Sequence, residues 1–155
     1  MKLRKANKKD MKRFVELQKE AFPNLNSRKQ EEYFIKKMKN NQLLILEDKN
    51  SYLGHLSFGL YKLNPPFNDG VFLEELAVKR EFQGKGYGKM LLKEAEKYFK
   101  KDRIKMIYLG TADSKKNKAI PFYKKQGYKI VGKLKEINPL SEYKYGQIFM
   151  GKIIK

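Results

Sequence analysis

Two glutamates stand side by side inside an apolar run, Val71-Phe72-Leu73-Glu74-Glu75-Leu76-Ala77-Val78. A carboxylate is costly to enclose unless it is solvated or used, so this pair is a candidate for proton transfer. A few residues later comes Gln83-Gly84-Lys85-Gly86-Tyr87-Gly88, and an amphipathic segment follows to about Lys101. A strand feeding a glycine-rich turn that opens a helix is an anion site. The first helical N–H groups lack partners within the helix, the peptide dipoles add partial positive charge, and glycine lets an anion approach the backbone closely.

Spacing separates the phosphate-loop types. A dinucleotide fingerprint starting at Gly84 needs glycine at position 89, which is Lys89, and a Walker loop needs Lys then Ser or Thr, whereas Gly88-Lys89 is followed by Met90. The pattern present is Gln-x-x-Gly-x-Gly, Gln83 through Gly88, and with strand before and helix after it resembles the acyl-CoA pyrophosphate loop of the GNAT superfamily of N-acetyltransferases. A second stretch, Ala119-Ile120-Pro121-Phe122-Tyr123-Lys124-Lys125-Gln126-Gly127-Tyr128, resembles that family's second cofactor motif.

The resemblance implies an acetyl-CoA-dependent N-acetyltransferase acting on a primary amine: a peptide or protein N-terminus, a lysine or a small molecule. Attack would be direct, in a ternary complex. It places acyl-CoA contacts on Leu76, Ala77, Val78, Gln83, Gly84, Lys85, Gly86, Tyr87, Gly88 and Lys89, with a backbone N–H near Leu76–Val78 polarising the carbonyl. Tyr123 falls on the family's general acid. Many members carry, seven residues before this Tyr, an Asn that contacts the cofactor. Here that position is Lys116, and Asn117, one residue later, is the candidate to replace it. For the base, Glu74 and Glu75 lead, with Asp113 a third choice. Strand alternation sends the two glutamates to opposite sheet faces, so one at most faces the cleft, and the reading leans to Glu75. His55, the only histidine, reads as a packed residue rather than a base. Lys79, Arg80, Lys85, Lys89 and Lys124 flank the cradle, too many cations for individual assignment.

The elements that must position these groups follow from periodicity. Lys2–Lys5 predicts a strand. Asn7-x-x-Asp10 starts a helix carrying Met11, Phe14, Val15, Gln18 and Phe22, ended by Pro23. Ser27-x-x-Gln30 predicts a capping box for a second helix with Phe34, Ile35 and Met38 inward. Gln42–Glu47 and Tyr52–Tyr61 form a hairpin, and Leu63–Gly70 a loop. Val71–Val78 is the central strand and Gly86–Lys101 the following helix, with Leu91, Leu92, Ala95, Tyr98 and Phe99 inward. Ile104–Thr111 is a strand and Lys116–Gln126 a short helix stopped by Gly127. Two strands, Tyr128–Ile137 and Tyr145–Ile154, finish the chain. The order β-α-α-β-β-β-α-β-α-β-β predicts an α/β fold with a mixed sheet over 1–155 as one domain. It is also the order of the GNAT fold, in which two central parallel strands splay around the cofactor.

Composition sets the limits. With 155 residues and 41% hydrophobic content the chain can build a core. No apolar run approaches the ~20 residues that span a bilayer. There is no signal-like N-terminus, and with zero Cys a cytoplasmic protein without disulfides or thiolate metal sites is expected. One His and no Cys give no metal set. The formal charge of +19 suggests polyanions, yet only Arg4, Arg13, Arg28, Arg80 and Arg103 of the 36 basic residues are arginine. Scattered lysine solvates helix faces more often than it reads nucleic acid. A non-catalytic CoA-sensing or nucleic-acid-binding module is the rival reading. Acceptor contacts are expected from Phe22–Asn40 and Ile137–Tyr145. The positive field should disfavour polyamines relative to a peptide N-terminus or a lysine in acidic context. The assembly is expected to be a monomer or a homodimer.

Overall fold

The computed structural model describes residues 1–22, 26–61, 70–134 and 146–154. The elements are β1 (Lys2–Lys5), α1 (Met11–Ala21), α2 (Ser27–Lys39), β2 (Leu43–Asp48), β3 (Ser51–Tyr61), β4 (Gly70–Val78), α3 (Tyr87–Lys101), β5 (Met106–Ala112), α4 (Ala119–Lys125), β6 (Lys129–Leu134) and β7 (Gln147–Ile153). This is the α/β order expected. Seven strands form one mixed sheet in the order β1-β2-β3-β4-β5-β7-β6. The chain divides into two compact units: Met1–Gly59 with Glu74–Asp102, and Leu60–Leu73 with Arg103–Lys155.

In the first unit, α1 begins where Asn7 and Asp10 form a reciprocal capping box ahead of Met11. Asp10 also receives both Arg4 guanidinium nitrogens, at 2.7 and 2.8 Å, and Arg4 reaches Glu47 as well, at 2.8 Å. That knot ties β1 and β2 to the start of α1. The core is Phe14, Val15, Leu17, Phe34, Leu43, Ile45, Tyr52 and Ala77. Leu91, Leu92, Ala95 and Phe99 bury one face of α3, and the Phe58 and Phe99 rings meet edge to face at 4.8 Å. Tyr98, expected inward with them, is half-buried.

Two local expectations fail on α2. Asn26, not Ser27, caps the helix, its side chain accepting from Arg28 N at 2.9 Å, and Gln30 is buried rather than reaching back to a cap. Ile35 is exposed at 39%, while Lys37 takes an inward place three residues after Phe34. The helix turned this way buries Gln30, Phe34 and Lys37, so its inner face is more polar than hydrophobicity alone suggests.

In the second unit, β4 runs parallel to β5 from Gly70↔Met106 to Leu73↔Leu109. From Glu74 onward β4 belongs to the first unit. β7 pairs antiparallel with both β5 and β6. Val71, Leu73, Ile107, Leu109, Tyr123, Tyr128, Ile148 and Met150 are buried. α4 starts at Ala119 rather than Lys116, because residues 114–117 make a turn (Asn117 N to Ser114 O, 2.9 Å) and the Asn117 side chain accepts from Ala119 N. The loop expected at Leu63–Gly70, the helix-ending Pro23 and the Ile137–Tyr145 acceptor loop lie outside the described residues, Gly70 apart.

Candidate active site

Glu74 and Glu75 sit where the burial of β4 stops alternating. Glu74, Glu75 and Leu76 are half-buried in succession, and Ala77 and Val78 are buried. The expected separation of the two carboxylates onto opposite faces does not occur, because both join one hydrogen-bonded cluster. Tyr33 Oη donates to Glu74 Oε2 at 2.7 Å and pairs with Ser57 Oγ at 2.8 Å, and Ser57 Oγ lies 3.4 Å from Glu75 Oε2. Lys37 Nζ, 5% exposed as a residue, sits 2.5 Å from Glu74 Oε1. Glu75 receives the Gln18 amide instead, Nε2 to Oε2 at 2.6 Å.

The two acids therefore differ in their partners: Glu74 faces a cation, Glu75 an amide and a hydroxyl. Burial pushes the Glu75 carboxyl up to about 7, and the charge on Glu74 pushes the same way. The bonds from Gln18 and Ser57 and the charge on Lys37 offset only part of this. A carboxylate that titrates near neutrality can accept a proton there and return it to water.

His55 is fully buried, as a packed residue, with Tyr52 Oη 2.8 Å from Nδ1 and Gln18 Nε2 3.1 Å from Nε2. Desolvation lowers its pKa to about 3, so it is neutral at ordinary pH. Neither this pairing nor Tyr33, Lys37 and Gln18 as neighbours of the glutamates is predicted from sequence. The one signal was polarity on an apolar stripe: Gln18 follows Met11, Phe14 and Val15 at helical spacing.

The glycine loop takes the shape its residues allow. After β4 a 3-10 turn, Arg80–Phe82, leads into extended Gln83, whose amide donates to Val78 O at 2.9 Å and fastens the loop to the strand end. Gly84 and Gly86 have φ of +73° and +86°, a region that disfavours other residues, and a Cβ at either would meet nothing within 4 Å. Gly86 caps α3, and the first intrahelical bond runs from Met90 N to Gly86 O at 3.0 Å. The N–H groups of Tyr87, Gly88 and Lys89 precede it and are available. Backbone that is bare, left-handed and unobstructed at a helix start suits a pyrophosphate. Beside it, a cleft of about 520 Å³ is lined by Glu16, Leu17 and Glu20 of α1 and by Lys79, Arg80 and Glu81. Arg80 N donates to Glu20 there, at 2.5 Å.

The second unit carries the remaining candidates. Tyr123 is 8% exposed between the Phe122 and Tyr128 rings, with centroids at 5.0 and 5.4 Å. Burial raises its hydroxyl to about 12, so it keeps its proton. Asn117 donates from Nδ2 to Thr111 Oγ1 and Ala112 O, both at 2.7 Å, and accepts from Ala119 N at 2.9 Å. Its amide thus joins the end of β5 to the start of α4. Asp113 is exposed. No group of His, Cys, Asp and Glu among the described residues could hold a metal ion.

Comparison with known proteins now bears on this geometry. No curated protein sequence matches the chain. Among solved structures, a ribosomal-protein-alanine N-acetyltransferase from Brucella melitensis superposes with a TM-score of 0.79 at 18% identity, covering 99% of each chain. An aminoglycoside 6'-N-acetyltransferase complexed with coenzyme A gives 0.81 at 21%, covering 100% of this chain and 98% of that one. An aminoglycoside 6'-N-acetyltransferase from Enterococcus faecium gives 0.78 at 21%, covering 100% and 98%. At these identities the likeness speaks for the fold. The sequence pattern of the Acetyltransferase (GNAT) family matches residues 11–128, a span that holds both glutamates, the glycine loop, Asn117 and Tyr123. The chain belongs to the GNAT family of acetyltransferases, and is an acetyl-CoA-dependent N-acetyltransferase.

Proposed function

We propose that this single-domain enzyme acetylates a primary amine by direct attack in a ternary complex, with Glu75 as general base and Tyr123 as general acid. The observation that carries the base assignment is the contrast between two adjacent carboxylates: Glu74 paired with buried Lys37, Glu75 bonded to neutral groups and raised to about 7. Environments that push two acids apart mark out which one exchanges protons. An amine of pKa ~10.4 arrives protonated, so the base is needed near neutral pH.

Bound acetyl-CoA supplies the acetyl group as an activated thioester. The open backbone from Gln83 to Gly88, with Lys85 and Lys89, holds the anionic end. Backbone at Leu76–Val78 directs an N–H at the carbonyl oxygen. Glu75 Oε2 takes the ammonium proton, and Tyr123 Oη holds a proton for the departing sulfur. Asn117 steadies the β5–α4 turn, and Asp113, exposed after β5, is the weaker alternative base.

The structural neighbours named above act on aminoglycosides and on a ribosomal-protein alanine. A formal charge of +19 repels polycations, so the acceptor is a peptide or protein amine in neutral or acidic context. No helix among the described residues is long and apolar enough to cross a membrane, and we place the enzyme in the cytoplasm. The test is acetyl transfer from acetyl-CoA to a panel of N-terminal peptides, lysine peptides with acidic neighbours, and spermidine. Turnover with peptides that disappears in Glu75→Gln supports the reading. Spermidine outpacing every peptide overturns the acceptor class, and no turnover with any amine overturns the activity on this substrate class.

A further inference from the structure

The amide of Gln18 is fully buried and its nitrogen serves two acceptors, Glu75 Oε2 at 2.6 Å and His55 Nε2 at 3.1 Å. A primary amide has two N–H groups, one for each. If Nε2 of the neutral ring accepts, the ring proton sits on Nδ1, which faces Tyr52 Oη at 2.8 Å and donates to it. The other end of the amide, Gln18 Oε1, is buried with no partner among the described residues. This arrangement fits an ionised Glu75.

A protonated Glu75 reverses the demand, since its O–H must now donate. Half a turn of the Gln18 amide about its last torsion puts Oε1 where the nitrogen was. Oε1 then accepts from Glu75 O–H and, once the ring proton has moved from Nδ1 to Nε2, from His55 as well. The Tyr52 hydroxyl rotates and donates to Nδ1. Protons balance: Glu75 gains one from solvent, and the ring holds one in both states. No backbone moves, and only the unpartnered end of the amide changes, from oxygen to nitrogen.

We propose that Gln18 is a two-position positioning residue for Glu75, its amide orientation following the Glu75 proton and setting which ring nitrogen of His55 carries hydrogen. The inference rests on Glu75 being the base, and gives that base a matched hydrogen-bond partner in both of its protonation states. Around Glu75 stand Gln18 of α1, Tyr33 and Lys37 of α2, Tyr52 and Ser57 of β3, and Glu74 beside it on β4. Around His55 stand Gln18, Tyr52 and the Phe14 ring, 4.5 Å away. Of these groups Gln18 is hydrogen-bonded to both Glu75 and His55, and its amide can donate or accept.

Because the chain has one histidine, nitrogen-15 labelling of histidine in the full-length protein yields a single pair of ring signals. As pH falls through about 7, the protonated nitrogen is expected to change from Nδ1 to Nε2, with the midpoint of the acid limb of kcat/KM. In Gln18→Leu the exchange should vanish and the limb should move to higher pH, because of the two bonds lost the one to the ionised carboxylate is charge-assisted and the stronger; a merely structural role would lower activity with the midpoint unmoved. Glu75→Gln, which cannot titrate, should leave the ring signals fixed over the same range, and it serves if Gln18→Leu does not fold. Ring nitrogens that keep one assignment throughout in the wild type, or that still exchange in Glu75→Gln, overturn the proposal. If Glu75→Gln abolishes turnover while wild-type nitrogens stay fixed, this inference fails and the base stands. If the nitrogens exchange but Glu75→Gln turns over normally, the coupling holds and the base assignment falls.

Discussion

Lys37 Nζ lies 2.5 Å from Glu74 Oε1, with 6% of the lysine side chain and 23% of the glutamate side chain exposed. The same nitrogen donates to Phe58 O at 2.9 Å and to Gln42 Oε1 at 3.4 Å. Removing one partner of such a pair strands the other charge in a poor solvent, at a cost of about 3 kcal/mol or more, whereas removing both can be close to neutral. Lys37→Met should therefore lower unfolding free energy by about 3 kcal/mol, and adding Glu74→Gln should restore most of it. Urea unfolding of the two single variants and the double variant measures this directly. If the double variant is as unstable as Lys37→Met, the lysine acts through Phe58 and Gln42 rather than through Glu74.

The activity profile should respond differently to the two glutamates. Glu75→Gln removes the group that takes the ammonium proton, and kcat should fall about 100-fold or more, with the acid limb near pH 7 lost. Glu74→Gln leaves Glu75 in place but removes a negative charge that helps raise it. Its acid limb should move to lower pH, with a smaller loss in kcat. Rates at saturating acetyl-CoA across the pH range decide between them. Equal losses with no shift in either variant would mean that the pair acts only as scaffold.

Two buried groups also give stability opposite pH slopes. Glu75 has a folded-state pKa of about 7 against about 4.5 when unfolded. The folded state binds its proton more tightly, so the stability this group contributes is present below about 4.5 and is lost as pH rises to about 7. His55 is lowered from 6.5 to about 3, so its contribution is present above 6.5 and is lost as pH falls toward 3. Between about 4.5 and 6.5 the two partly cancel. Glu75→Gln should unmask the histidine slope there, so that stability rises with pH through that window more steeply than in the wild type. Chemical denaturation at several pH values checks it, and parallel curves for wild type and variant would contradict the raised carboxyl.

How much of this was legible in the sequence depends on how far apart the interacting residues lie. The element order, the Asn7–Asp10 cap and the glycine loop are written in neighbours three or four residues apart, and local physics fixes them. The base environment is written across the chain. Gln18 and Glu75 meet over 57 positions and Lys37 and Glu74 over 37, and no periodicity announces such pairs. Ile35 was misplaced for a related reason: hydrophobicity put it inward, but Lys37 had a carboxylate to pair with and took the interior instead. Alternation misled for Glu74 and Glu75 because it describes a regularly paired strand. The pairing of β4 with β5 runs through Leu73, and the glutamates come just after it.

Gly86 gives the sharpest test of the cofactor cradle, because stability and binding separate there. At φ +86° a side chain costs about 1–2 kcal/mol in backbone strain, but a Cβ would touch nothing within 4 Å. Gly86→Ala should thus fold, at a stability loss near 1 kcal/mol, and should keep part of its response to acetyl-CoA. Gly86→Glu should be no less stable than Gly86→Ala when free, since a carboxylate is favourable at a helix N-terminus. It nevertheless sets a negative charge where the pyrophosphate must come. A ligand at about 100 times its dissociation constant adds about 2.7 kcal/mol, and the glutamate variant should lose this stabilisation entirely. Thermal unfolding with acetyl-CoA, with ATP and with a short DNA duplex, each at low and moderate salt, separates the site from the general pull of a basic surface. Acetyl-CoA should still stabilise the wild type at moderate salt when the other two polyanions have faded. If Gly86→Glu responds to acetyl-CoA as the wild type does, the loop is a turn and the acyl carrier is held elsewhere.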